Sequence, residues 1–250
     1  MKAVKARVNT SLARTSVLSD EIYEMIKEMI VSYEISPGSK VNIDALSLQL
    51  KTSQTPIREA LARLESDGLI KKEPLKGYAT TSLLTLDEFL DLFQFRLLIE
   101  PWAAEQAALR ITSVGKKILT TEMKSTMKSL KQKNVDEFRS MTEHDARFHK
   151  LVAQLSGSKS VEAAFERTHC HLHLFRLFMA HRLNLIGNYS GSKFVEGLFE
   201  QYYQKGLGQL AIIEHSAISN AIIDGDSKAA RASMHSHIQS SLKRFLSSVE

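Results

Sequence analysis

All nine histidines of this 250-residue chain lie between His144 and His237. In the string Glu143-His144-Asp145-Ala146-Arg147-Phe148-His149, Asp145 and His149 are spaced i, i+4. That spacing puts a carboxylate and an imidazole on one helix face, beside apolar Phe148 and Val152. His215, in Ile-Glu-His-Ser-Ala-Ile, and His237, the second histidine of Met-His-Ser-His-Ile, fall in later helical patterns. Three imidazoles and one carboxylate gathered in a helical core would suit Zn2+, Ni2+ or a similar ion. Read alone, the Asp145–His149 pair also fits an ordinary hydrogen-bonded pair with no ion. His169, His171 and His173 alternate along one predicted helix, so they point in different directions and read as mostly structural, with one of them at most lining a pocket. His235 falls on a different face from His237.

Those residues need a helical scaffold, and from Thr85 onward the chain shows only helical periods. Thr85-Leu86-Asp87-Glu88 is a capping-box pattern. It opens a helix carrying Phe89, Leu92, Phe93, Arg96, Leu97, Glu100 and Ala104. Further helices are predicted over 115–132, 135–156, 159–185, 195–224 and 226–248, with breaks at 187–192 and 206–208. The expected solution for residues 83–250 is an all-α antiparallel bundle.

The first third of the chain carries a different chemistry. Residues 19–33 place Ile22, Met25, Ile26, Met29 and Ile30 on one helical stripe, with Ser19 as the expected N-cap. Pro37-Gly38 marks a turn. A second helix is predicted from about 43 to 50, burying Leu46 and Leu50. A third runs from about 55 to 67: Thr55 can cap it, Pro56 suits the first helical position, and Gly68 suits a left-handed stop. Ile57, Leu61 and Leu64 face inward, while Gln54, Arg58 and Arg63 are left to face outward. Residues 69–73 and 78–81, on either side of Pro74-Leu75-Lys76-Gly77, read as a short β-hairpin with a basic tip. Three helices followed by a hairpin make a winged helix-turn-helix over residues 16–82.

That geometry presents the start of the third helix to the major groove of double-stranded DNA. Arg58 suits a bidentate guanine contact, and Ser53, Gln54 and Thr55 suit bases or phosphates. Arg63 is a further outward cation expected to contact DNA. Lys71, Lys72 and Lys76, with Gly77 at the tip, form a wing that adds salt-dependent affinity. The plain alternative is a helical hairpin whose charges are merely solvated.

Composition adds boundaries. The net charge of +5 is spread over both parts, about +2 in residues 1–82 and +3 in the remainder. Basicity therefore cannot carry a DNA argument, which must rest on the motif. The single cysteine, Cys170, cannot form an internal disulfide and fits a reducing, cytoplasmic compartment. No apolar run approaches the ~20 residues that span a bilayer, so no membrane association is expected. The basic, Ser/Thr-containing start reads as a flexible basic arm over residues 1–15.

Pro37-Gly38, Leu46, Leu50, Ser53, Thr55-Pro56-Ile57-Arg58-Glu59-Ala60-Leu61, Arg63-Leu64, Gly68-Leu69-Ile70 and Gly77 together resemble the GntR family of bacterial transcription regulators. Gln54 departs from the family pattern, which usually has arginine there and uses that position on DNA. Glutamine prefers adenine edges where arginine prefers guanine, which implies a different operator preference at that base pair. Residues 86–244 resemble the FCD effector domain of the FadR subfamily through Arg96-x-x-x-Glu100, Asp145-x-x-Phe148-His149, Glu214-His215-x-x-Ile218, Gly225-Asp226, Ala229-Ala230 and Met234-x-x-His237. The resemblance implies that Asp145, His149, His215 and His237 are the ligands of a divalent transition metal, Zn2+ first, with Ni2+ or similar also suited. It further implies open coordination positions for water or a small carboxylate effector. Arg96 could supply a cation for that effector, or could simply pair with Glu100 along its own helix.

The expected function is a homodimeric DNA-binding repressor released by a small organic acid. An alternative is a regulator for which the metal itself is the signal. A hydrolase built on the same ligands is not expected, because no further carboxylate is spaced as an obvious general base.

Overall fold

The structure is a computed structural model that describes residues 18–129, 137–183 and 208–246. It divides into two compact units, Met1–Leu83 and Leu84–Glu250. The expected basic arm over residues 1–15 lies outside the described residues, as do the expected break at 187–192 and residues 195–207 of the helix expected over 195–224.

In the first unit, helix α1 (18–31) buries Ile22, Tyr23, Ile26, Met29 and Ile30, while Met25, expected on that stripe, is 49% exposed. Ser19 is inside this helix rather than capping it, and its buried hydroxyl donates to Glu59. Strand β1 (Lys40–Val41) follows the Pro37-Gly38 turn, and Gly38 has φ +72. Helix α2 (Ile43–Gln49) is capped by Asn42, whose side chain accepts from the backbone of Asp44 and Ala45. Leu46 is buried, but Leu50 is only half-buried.

Helix α3 (Gln54–Ser66) starts one residue earlier than expected. Ser53 is its N-cap residue, so Thr55 and Pro56 are its second and third residues. Proline fits there because the first-turn N–H groups have no partner within the helix. Ile57, Ala60, Leu61 and Leu64 are fully buried. Gly68, at φ +71, turns the chain out of the helix as expected. Strands β2 (Ile70–Glu73) and β3 (Gly77–Thr80) pair as an antiparallel hairpin. β1 pairs with the free side of β3, giving the order β1-β3-β2. A two-residue strand carries no alternation to read, so β1 was not legible in the sequence. Buried Thr80 anchors the wing, its hydroxyl donating to the Ser36 carbonyl at 2.6 Å.

The second unit is helical throughout its described residues. Helix α4 (Leu86–Arg110) opens with the expected capping box between Thr85 and Glu88. It lies against α6 (Glu137–Leu155) and α10 (Ser227–Leu246). Phe89 and Phe93 on α4 meet Phe245 on α10, with ring centres 5.6 and 5.8 Å apart. α5 (Ser113–Ser129) lies against α6, and α9 (Gly208–Asp224) against α10.

The single helix expected over 159–185 is two helices, α7 (Lys159–Thr168) and α8 (Cys170–Arg182). His169 breaks it, with a left-handed backbone at φ 45. No glycine or proline announces that break. Among non-glycine residues this conformation is uncommon, though histidine is among the residues that adopt it more often than most.

Candidate metal centre and nucleic-acid interface

Four ligand atoms from three helices converge inside the second unit. Asp145 and His149 come from α6, His215 from α9 and His237 from α10, and one ligand atom of each lies within 4.8 Å of all the others. The Nε2 atoms of His149 and His237 are 3.2 Å apart, as are those of His215 and His237. Asp145 Oδ1 lies 3.2 Å from His215 Nε2 and 3.6 Å from His149 Nε2. Metal–ligand bonds of ~2.1 Å place tetrahedral donors ~3.4 Å from one another, so this spread fits a small transition-metal ion.

The outward nitrogens decide where the ring protons sit. His237 Nδ1 is 2.8 Å from a Glu214 carboxylate oxygen, and His149 Nδ1 closely faces a Glu100 oxygen. An ionised carboxylate can only accept, so both Nδ1 atoms carry hydrogen. His144 Nδ1 lies 3.0 Å from Glu122 Oε1 and 2.7 Å from Thr126 Oγ1, which leaves His144 Nε2 bare. That bare nitrogen accepts from His215 Nδ1 at 3.0 Å. His215 and His237 therefore aim unprotonated Nε2 lone pairs at each other with no proton to share. A cation between them turns that repulsion into coordination.

The electrostatics agree. Burial lowers the pKa of His215, well below the usual range, and that of His237, keeping both rings neutral. Burial also disfavours charge on His149, but Glu100 and Asp145 together outweigh it and raise that pKa. Burial alone would raise the Asp145 carboxyl; the surrounding histidines, His171 foremost, hold it well below. The same contest at Glu214 is won by Arg244 and His237, which bring it to about 2.

Arg96 is 2% exposed, and its guanidinium pairs with Glu100, with Nε 2.5 Å from Oε1. It also lies 3.3 Å from His149 Nε2 and 3.6 Å from the Cys170 sulfur. The intrahelical pair expected as the alternative for Arg96 is therefore formed, at the edge of the centre. Burial pushes the Cys170 thiol up to about 12, so it is no thiolate ligand.

Several residues at the centre were not assigned to it in the sequence, and His171 was expected to be mostly structural. His171, two residues past the break, has its Nε2 2.8 Å from Asp145 Oδ2 without lying on the line of a straight hydrogen bond. His171 is thus at the centre, whereas His173 faces a groove between α4 and α7. His235 is exposed, on the face opposite His237 as expected. Glu100 and Glu214 are carboxylates near the ligands after all, but both stand behind imidazole rings. Glu214 is itself clamped by Arg244 at 2.7 and 2.8 Å. The signals available were sequence adjacency, His144 to Asp145 and Glu214 to His215.

In the first unit, Ser53, Gln54, Thr55 and Arg58 are exposed at the start of α3. The Ser53 hydroxyl makes no capping bond. Arg58 donates to Gln54 Oε1 at 3.3 Å, and Gln54 Nε2 donates to Asp44 at 2.6 Å. Arg63 is five residues further along, roughly 140° around the helix by the 3.6-residue turn. It binds α1 instead, 2.5 Å from Asp20 and stacked 4.2 Å over the Tyr23 ring. In the wing, Lys71 pairs with Glu73 at 2.8 Å, Lys72 lies over the Tyr78 ring, and Lys76 is exposed at the tip. Gly77 closes the tip at φ +92, a conformation that suits glycine.

Comparison with known proteins agrees with both units. Residues 18–79 match the bacterial regulatory proteins of the gntR family, and residues 91–240 match the FCD domain. YdhC of Bacillus subtilis, an uncharacterised HTH-type transcriptional regulator, is 25% identical over 73% of this chain and 76% of its own length. The HTH-type transcriptional repressor RspR of Escherichia coli is 28% identical over 60% of this chain and 64% of its own. Among solved structures, E. coli McbR/YncC superposes with a TM-score of 0.63 at 15% identity, covering 93% of this chain and 99% of that one. At that identity the likeness speaks for the fold. These relatives and families are regulators of transcription rather than enzymes. The chain belongs to the GntR family of transcriptional regulators, with a winged helix-turn-helix followed by an FCD domain.

Proposed function

We propose that this regulator is a homodimeric, cytoplasmic repressor of the metal-binding FadR type. In this reading it is released from its operator by a small carboxylate held at a divalent metal, Zn2+ first. The observation that carries the reading is the convergence of Asp145 Oδ1 with three imidazole Nε2 atoms, each ring tethered at its outer nitrogen. An ion held there would supply Lewis acidity for an organic acid. Asp145 keeps 26% of its side-chain exposure while the three ligand rings keep at most 3%, so an exchangeable ligand would reach the centre on the Asp145 side. Arg96 would add a buried positive charge beside His149 without leaving Glu100. The repressor reading is supported by RspR, whose name describes a repressor.

On the DNA side, Ser53, Gln54, Thr55 and Arg58 would read the major groove. Lys71, Lys72, Lys76 and Gly77 would place the wing on the backbone, and Arg63 would steady α3 against α1. A dimer is expected because one recognition helix gives too few base contacts for specific binding.

The test is operator binding by chelated protein, at physiological salt, on the DNA flanking its own gene. Zn2+ and then small carboxylates are added in turn. Release that needs both supports the proposal. Release by Zn2+ alone would make the metal the signal, and no preference over random duplex would refute the operator reading.

A further inference from the structure

His144 is adjacent in sequence to a ligand but is not one of the four converging ligands; it backs one of them. Its ring is 2% exposed and joins three elements. Nε2 lies 3.0 Å from His215 Nδ1 on α9, and Nδ1 faces Thr126 and Glu122 on α5. Arg147, one turn along α6 from His144, holds the same Glu122 carboxylate at 3.1 and 3.2 Å. The His215 ring is therefore gripped on three sides by one stretch of α6. Asp145 meets its Nε2 edge, His144 meets its Nδ1 edge, and Phe148 stacks on its face at 4.1 Å.

The other two ligand imidazoles rest on carboxylates, which accept hydrogen bonds whatever the ring does. His215 rests on another imidazole, which can donate or accept. The Glu122 carboxylate decides between these. It takes the hydrogen of His144 Nδ1, leaves His144 Nε2 as an acceptor, and so places the His215 hydrogen on Nδ1. Only then is the His215 Nε2 lone pair available to a metal.

We propose that His144, oriented by Glu122, is a positioning residue that selects the metal-binding tautomer of His215. A buried imidazole here does what a carboxylate does for the other two ligands. The inference rests on the reading of this cluster as a metal centre, but its first consequence, the tautomer, can be measured without metal.

The experiment combines ring 15N chemical shifts of His215 in metal-free protein with Zn2+ affinity measured against a chromophoric chelator. In the wild type, His215 is expected to be the Nδ1–H tautomer. His144→Leu removes the acceptor and should weaken Zn2+ binding about 10–100-fold, as loss of such outer partners does elsewhere. His144→Gln keeps a carbonyl acceptor and should stay within about threefold of wild type. An Nε2–H tautomer in the metal-free wild type would overturn the proposal, even if His144→Leu fails to fold. So would a folded His144→Leu protein that binds Zn2+ like the wild type, or His144→Gln as weak as His144→Leu. A wild type that binds no Zn2+ yet shows the Nδ1–H tautomer would leave the proposed tautomer selection standing and refute the metal centre instead.

Discussion

Gln54 has both ends of its amide engaged, the oxygen with Arg58 and the nitrogen with Asp44. An adenine edge asks the amide for the same two gifts, one donor and one acceptor. DNA therefore competes with Arg58 for the Gln54 oxygen, and releasing that contact frees Arg58 for a guanine. Two substitutions separate the roles. Arg58→Ala should cost about 1–3 kcal/mol on the operator and much less on random duplex. Equal losses on both would show that Arg58 touches only phosphate. Gln54→Arg should shift preference toward guanine at one base pair, read from binding to a set of singly substituted operators. An unchanged ranking would place Gln54 off the bases.

Elements were more legible than what lies between them. The outward and inward faces of α3 followed from Ile57, Leu61 and Leu64, and Gly68 stopped it where a left-handed glycine should. The Asp145–His149 spacing held because one helix face is a local property. The partners that hold the ligands are not local: Glu122 is on α5, Glu100 on α4 and Arg244 on α10, and helix packing alone brings them in. The α7–α8 break, a left-handed histidine, carries no glycine or proline to mark it in the sequence, and His171 lies just beyond it, 2.8 Å from Asp145.

That same break leaves His173 in a costly place. Burial pushes its pKa down to about 4, helped by Arg176 and His169. An unfolded histidine titrates near ~6.5, so between those values the unfolded chain binds more protons. Stability should therefore fall as pH drops through that window and return as it rises. His173→Gln should reduce this dependence, the other buried histidines keeping the rest, in urea melts at pH 7 and pH 5 with chelator present. Parallel curves for the two proteins would show that His173 is not the group responsible.

At the scale of the molecule, binding that favours the folded state raises its stability by mass action. Zn2+ at a hundredfold excess over its dissociation constant should add about 2.7 kcal/mol, and chelation should remove it. Calorimetry with and without chelator would read this as a shift in melting temperature. Asp145→Ala and His215→Ala should each abolish the shift, and a shift that survives both would place the stabilising ion elsewhere.

The ligands are also far apart along the chain: His149 and His237 are 88 residues distant. A shared ion would tie those points together as a cross-link ties a loop. The ion would be held only where the folded helices bring those points together, so its binding free energy would be folding free energy. One cysteine allows no internal disulfide, whereas the proposed ion would supply a knot that chelation undoes. The bundle would then be fastened by a clasp that small acids can reach, so metabolite chemistry and mechanical tightness would meet at one atom.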